Sequence, residues 1–290
     1  MREHKQMAAQ VTLPPPQPSA NPFEGINGAI PAKSIDATYR FKSAILGLPK
    51  SGKSWFASTA PGPIMYYDFD DRAISLAGKP NVHVKTLQDI SQQNPTAMKE
   101  LEKDLAHFKY RKLKGLPIPP TYVLDTATYL KKSMENELFA QDSGLARRIK
   151  IGPDPKAYIM VGKNYDVINA VQGYFQYLIG EFSALGNLIM VFHERDEKDK
   201  ERSTPTETKY TGKVTVDPQY LANTLTLFND VFRITATGGI GAADTRYAVN
   251  CKTNNEVNAS TTLLVDSIEP PNFQDMLTKH RANLAKMQKE

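Results

Sequence analysis

The residues Gly47-Leu48-Pro49-Lys50-Ser51-Gly52-Lys53-Ser54 follow an apolar run and precede a helix-like stretch that begins at Trp55. Their spacing is G-x-x-x-x-G-K-[ST], the pattern of a loop that cradles a polyphosphate. Gly47 and Gly52 permit backbone angles that other residues resist, so the chain can wrap an anion. Successive N–H groups and the positive end of the following helix then face the phosphates. In that arrangement Lys53 neutralises the β- and γ-phosphates and the Ser54 hydroxyl ligates Mg²⁺. The contact surface expected for a nucleoside triphosphate therefore runs from Gly47 to Trp55.

Acids at strand ends supply the rest of such chemistry. "TYVLDT" is an apolar run closing on Asp125. In open parallel sheets the ligand crevice lies at the C-terminal ends of strands, so Asp125 is expected to hold a metal-bound water, with Thr126 hydrogen-bonding nearby. "IMYYDFDDRA" ends in Asp68, Asp70 and Asp71. Hydrolysis needs a group that orients water at the γ-phosphate. This strand is expected to lie next to the phosphate-loop strand, which makes Asp70 the favoured base and Asp68 the alternative. "LIMVFHE" ends in His193 and Glu194, and His193 is the expected sensor of the γ-phosphate.

The elements that must position these residues alternate. "YRFKSAILGL", "PIMYYDFD", "PPTYVLDT" and "NLIMVFHE" read as strands; "FNDVFRITAT", "RYAVNCKT" and "STTLLVDSI" read as further ones. "TAMKELEKDLAHFKYRKLKG" is amphipathic, with Met98, Leu101, Leu105 and Phe108 at helical spacing. Tyr165 to Leu185 reads as a long helix and Phe273 to Lys289 as a terminal one. The fold class predicted is α/β, with a mostly parallel sheet and helices on both faces. Residues 1–36, rich in proline and polar residues, are expected to form a flexible arm. The catalytic core is expected over 37–268 and a C-terminal helix over 269–290.

Composition narrows the class. Of 290 residues, 40% are hydrophobic and 23% charged, as in ordinary globular proteins. The single cysteine, Cys251, cannot form an internal disulfide. No apolar run approaches the roughly 20 residues that span a bilayer, and "MREHKQMAAQ" lacks the apolar core of a signal peptide. No membrane partner and a cytoplasmic location are expected. The net charge of +5 is mild and permits an acidic partner such as nucleic acid.

The order of these motifs resembles the RecA/RadA class of P-loop ATPases. It is most similar to the short RecA-like AAA-domain proteins of phages associated with single-strand annealing. The resemblance covers about Tyr39 to Thr253. "GLPKSGKS" is followed by "YYDFDDRA", where RecA-like proteins have a strand, an aspartate and, two residues on, a catalytic glutamate. That place falls on Asp70, an aspartate here. "VLDTATYL" matches the family's Walker B segment and "LIMVFHERDEKD" the strand ending in a polar sensor, a place taken by His193. The resemblance implies a RecA-like P-loop core, ATP and Mg²⁺ as cofactors, single-stranded DNA as partner and a homo-oligomer, ring or filament. It also implies phage origin and a place in recombination, annealing or replication, with a single-strand-binding protein as a further partner.

RecA-like proteins contact DNA through two loops. Here these correspond to "DSGLARRIKIGPDPKAYIMVGKNY", with Arg147, Arg148 and Lys150, and "ERDEKDKERSTPTETKYTGKVTVDP", with Arg195, Lys209 and Lys213. Both read as mobile, aperiodic loops. Their basic residues can follow a phosphate backbone, and Tyr158 and Tyr210 can stack on bases. The second is also acid-rich, which suits contact with a neighbouring subunit. Arg246 and Lys252 are the candidates for a cation reaching the site of an adjacent subunit. Three readings follow: a DNA-dependent ATPase; a nucleotide-gated assembly module with slow hydrolysis; or another P-loop enzyme such as a helicase, packaging motor or small-molecule kinase. No acceptor signature supports a kinase.

Overall fold

Strands that are apolar on both faces need cover from both sides. The computed structural model of this chain describes residues 40–89, 91, 94–141, 150–151, 158–159, 165–199, 209–216, 219–237, 245–252 and 259–287. All belong to the unit Arg40–Glu290. The strands are β1 (Lys42–Gly47), β2 (Ile64–Asp68), β3 (Val82–Thr86), β4 (Thr121–Asp125), β5 (Lys150–Ile151), β6 (Tyr158–Ile159), β7 (Asn187–Asp199), β8 (Lys209–Val216), β9 (Asp230–Thr237), β10 (Arg246–Asn250) and β11 (Ser267–Ile268). The helices are α1 (Lys53–Ala57), α2 (Ala97–Leu113), α3 (Ala127–Gln141), α4 (Tyr165–Leu185) and α5 (Phe273–Met287), with 3-10 turns at Ala73–Leu76 and Gln219–Leu227.

The main sheet runs β11-β10-β9-β1-β7-β4-β2-β3, and β8 pairs with β7 off that path. The β9-β1-β7-β4-β2-β3 block is parallel throughout. Within this sheet, among the described residues, β10, β11 and β8 join by antiparallel pairing. This is the expected α/β, mostly parallel sheet. On one face, Ala44, Leu46, Tyr122, Leu124, Leu188, Met190 and Phe192 form one core with Leu101 and Leu105 of α2, Leu130 and Met134 of α3, and Phe175 and Phe182 of α4. The alternate residues Ile45, Val123, Ile189 and Val191 are equally buried and point to the other face by the period of two. There Phe56 of α1 stacks on Phe273 of α5 at 5.0 Å between centroids, with Phe232 and Phe41 against Phe273.

The structure corrects several expectations. β2 is not the neighbour of β1: β7 and β4 lie between them. Burial on both faces fixes that a strand is central but not beside which strand it lies. The described residues after His193 are strand rather than aperiodic loop. β7 continues to Asp199 and pairs with β8, from Glu194↔Val216 to Asp199↔Lys209. Tyr210, Thr211, Val214, Thr215 and Val216 carry strand propensity there, and the pairing satisfies the backbone of an otherwise charged run. The segment before α4 likewise contains the short antiparallel pair β5-β6. "STTLLVDSI" is strand only at Ser267–Ile268. The buried Asp230 carboxylate accepts from Thr261 Oγ1, Thr262 Oγ1 and the Thr262 N–H, which bends the chain there. β3 and its segment "VHVKT" escaped the sequence reading. Among the described residues no helix is long and apolar enough to cross a membrane. The arm over residues 1–36, Arg147 and Arg148 lie outside the described residues.

Candidate active site

The C-terminal ends of β1, β2, β4 and β7 converge because the parallel registers align them. Asp68 pairs with Asp125, Asp125 with Val191, and Gly47 with His193. Strand parity then turns Tyr66, Asp68, Asp125 and His193 to the same face as α1. They line a cavity of about 520 Å³ together with Lys53, Ser54 and Asp70.

The loop from β1 to α1 makes two sharp choices. A Cβ at Gly47 would stand 2.6 Å from Ser51 Oγ and 2.8 Å from the Ile234 carbonyl oxygen, so only glycine fits. Gly52 caps α1 with φ 88° and ψ 13°, in the left-handed region. Lys50 also has positive φ, at 64°. Lys53 is buried and donates to the carbonyls of Gly47 at 2.9 Å and Leu48 at 2.6 Å. Burial lowers its pKa to about 8 against the opposing pull of Asp125, Glu194 and Asp70, so the ammonium stays charged at neutral pH. Pro49 through Trp55 line the cavity, while Gly47 and Leu48 stand behind it holding the lysine.

Asp125 is 4% exposed. Its Oδ2 accepts from Ser54 Oγ at 2.5 Å and from the Tyr66 hydroxyl. Its Oδ1 is buried without a hydrogen-bond partner among the described residues. Burial raises the Asp125 pKa, opposed by the Ser54 and Tyr66 hydrogen bonds and by Lys53. Burial raises that of Tyr66 well above the phenolic value, so the phenol remains a donor. The oxygens fit a hard cation: magnesium takes one or two protein oxygens and completes its shell with water and phosphate. Thr126 Oγ1, Ser51 Oγ and His193 Nδ1 are likewise buried without partners at this cavity. Buried polar atoms of this kind need a partner, and a polyphosphate with its metal offers several.

The two acids after β2 separate by their bonds. Asp68 Oδ1 accepts from the Asp70 N–H at 3.2 Å and Oδ2 from the Ala73 N–H at 2.9 Å, so Asp68 holds the turn. Asp70 keeps a carboxylate toward the cavity, 3.7 Å from Arg72 Nε. Burial, then its hydrogen bond with Asp68 and the charges of Asp125 and Asp68, raise the Asp70 pKa to about 7, against the pull of Arg72. That is the range of a general base at neutral pH. His193 is lowered to about 4, by burial first and then by Lys53 and Arg72, and is neutral at neutral pH. Asp70 lines the cavity although β2 is remote from β1, on a turn that Asp68 holds through the Asp70 and Ala73 N–H groups.

Sequence reasoning missed two side chains and one ion pair. Tyr66 shares the strand parity of Asp68, and that spacing was the available signal. Arg72 follows Asp70 closely and lines the cavity. Glu194 of β7 and Arg233 of β9 flank β1 and form a pair at 2.9 Å, with side chains only 5% and 11% exposed. Nothing in the sequence links those two before the strand order is known. The candidate trans cations fall elsewhere. Arg246 is exposed and lines a second cavity beside Gly52, and Lys252 is paired with Asp266 at the surface. Lys150 lies on β5, Arg195 on β7, and Lys209 and Lys213 on β8.

A family model described as an AAA domain matches residues 40–259. The chain belongs to the AAA-domain family of P-loop ATPases. No curated protein matches it. The match takes in every strand from β1 to β10, and therefore the whole cavity of this AAA-domain ATPase. It identifies the AAA-domain protein as one that binds nucleotide, in keeping with the loop and its unpaired buried donors and acceptors.

Proposed function

We propose that the chain is a Mg²⁺-dependent, RecA-like ATPase of phage type. In this reading its turnover is coupled to single-stranded DNA in recombination, annealing or replication, within a homo-oligomer in the host cytoplasm. The observation that carries this reading is the convergence of the 47–54 loop, Asp125, Asp70 and His193 on one cavity. The loop amides and Lys53 bind the phosphates and stabilise charge that develops on them. Ser54 and Asp125 are the residues that would hold Mg²⁺, which when bound neutralises phosphate charge. Asp70 takes the proton of the attacking water, and neutral His193 contacts the γ-phosphate.

The β7-β8 hairpin supports the coupling to DNA. It begins at Glu194, directly after His193, and carries Arg195, Lys209 and Lys213. Lys150, Arg147 and Arg148 on the segment before α4 complete the proposed DNA surface. Arg246 and Lys252 remain the proposed sources of a cation for a neighbouring subunit. Steady-state phosphate release with and without single-stranded DNA, on the wild type and on Lys53→Ala, tests the reading. Expected are strong DNA stimulation in the wild type and no turnover in Lys53→Ala. Tight ATP-dependent DNA binding with barely measurable hydrolysis would replace it with an assembly module. Turnover that needs a small acceptor, with DNA inert, would replace it with a kinase.

A further inference from the structure

Arg72 lines the phosphate cavity, yet the proposed function gives it no task. Its backbone is fixed from both sides. One buried carboxylate, Asp68, accepts from the N–H of Asp70 before it and from the N–H of Ala73 after it. Between them Asp71 adopts φ 57°, a left-handed angle at a residue that carries a Cβ. Such an angle persists only where its surroundings impose it, and here the turn delivers Arg72 to the cavity. The arginine side chain is held far less. It is 67% exposed, and its Nε stands 3.7 Å from Asp70 Oδ2, beyond hydrogen-bond length. An exposed ion pair of that kind is weak and readily exchanged. The cation is nonetheless felt at two residues of the site. It opposes the rise in the Asp70 pKa and, after burial and Lys53, adds to the fall at His193. These are the groups proposed above to meet the attacking water and the γ-phosphate. Lys53, by contrast, is buried and donates to the Gly47 and Leu48 carbonyls of the loop.

We infer that Arg72 is a further catalytic residue, whose guanidinium leaves Asp70 for the γ-phosphate oxygens of the nucleotide bound by its own chain. The inference goes beyond the proposed function and rests on it. As the water oxygen bonds to the γ-phosphorus, the bond from that phosphorus to the β–γ bridging oxygen breaks. The electron pair leaves on ADP, and a water proton passes to Asp70. Charge on the γ-phosphoryl oxygens must be met while this happens. A planar guanidinium offers two parallel N–H donors to two such oxygens and gives up no proton itself. Its departure also uncovers the Asp70 carboxylate for the water. This role differs from the one proposed for Arg246 and Lys252. Arg246 lines the second cavity and Lys252 pairs with Asp266, whereas Arg72 stands in the phosphate cavity of its own chain.

Phosphate release by the full chain, with and without single-stranded DNA, tests this on the wild type, Arg72→Ala and Arg72→Lys. Arg72→Ala is expected to lower kcat about 10³-fold or more while KM for ATP stays within a few-fold, the mark of a contact made in the transition state. Arg72→Lys should keep only part of the activity, because an ammonium cannot make the paired contact. Guanidinium chloride added to Arg72→Ala should raise turnover several-fold above the same concentration of sodium chloride. An equimolar mixture of Arg72→Ala and Lys53→Ala should give no more than the sum of the two alone, since each chain lacks one part of its own site. Wild-type kcat in Arg72→Ala overturns the inference and leaves the ATPase standing. So does a rise in KM in place of the fall in kcat. A guanidinium effect no larger than that of sodium chloride would make Arg72 a holder of the turn, and recovered turnover in the mixture would send it to a neighbour's site; either result overturns the inference. If the wild type neither binds nor hydrolyses ATP, the proposed function itself fails.

Discussion

β4 and β7 run side by side in register and reach the site at the same level, yet they leave it differently. β4 stops at Asp125, and α3 begins two residues later. Its carboxylate is pinned by Ser54 and Tyr66 and has nowhere to go. β7 passes the site instead: His193 faces the cavity, Glu194 reaches across β1 to Arg233, and the strand continues into the hairpin with β8. The β4 tip is a carboxylate held fixed by Ser54 and Tyr66. The β7 tip is a junction between the site and an appended element. In the proposed function one carboxylate serves chemistry, at some cost in stability, and the other serves the sheet.

Substitutions at the two tips should separate these roles. Asp125→Asn is expected to cut ATP turnover about 10²–10³-fold, while the melting temperature holds or rises, because it removes a charge whose burial is unfavourable. Phosphate release and thermal unfolding on the same sample check both halves. Glu194→Ala should do the reverse in the fold. It removes the carboxylate paired with the buried Arg233, which is expected to cost up to about 3–5 kcal/mol of stability. Chemical denaturation measures this, and the double variant Glu194→Ala with Arg233→Met should recover most of the loss. If Glu194→Ala melts like the wild type, the junction is not held by this pair.

The pH dependence sharpens the contrast at the β2 tip. In the proposed function Asp70 is the base, a role open only to its ionised form, so kcat/KM should fall about tenfold per pH unit as pH drops below about 7, and Asp70→Asn should remove that limb. The sign for folding is opposite. A carboxyl whose pKa is raised in the folded chain favours folding at low pH, and that contribution fades as pH rises through about 7. The smallest effect is expected for Tyr66→Phe. Losing one hydrogen bond to Asp125 Oδ2 should raise the Mg²⁺ concentration for half-maximal nucleotide binding up to about tenfold, with the melting temperature little changed.

Much of this site was readable from the chain alone, because its key residues are local signals. The 47–54 loop is contiguous, Asp125 and His193 end obvious apolar runs, and α4 begins and ends where its periodicity does. What stayed hidden depends on register between distant segments. The insertion of β7 between β1 and β4 brings Glu194 and Arg233 together across β1, and no local pattern specifies that order. The Tyr66 hydroxyl finds Asp125 only because β2 and β4 pair in that register. The second cavity draws on Trp55, Tyr247 and Pro271, which only folding brings together.

The helix that follows the phosphate loop spans only Lys53–Ala57, far too short to persist alone. Its one buried large apolar side chain, Phe56, is wedged between Phe232 and Phe273, and the N–H of Phe273 donates to Thr59 just past its end. Synthesis must therefore deliver residue 273 before residues near 50 can settle. A ribosome-stalled chain ending at residue 260 should carry the complete phosphate-loop motif and capture no ATP, whereas one with α5 fully emerged should capture it.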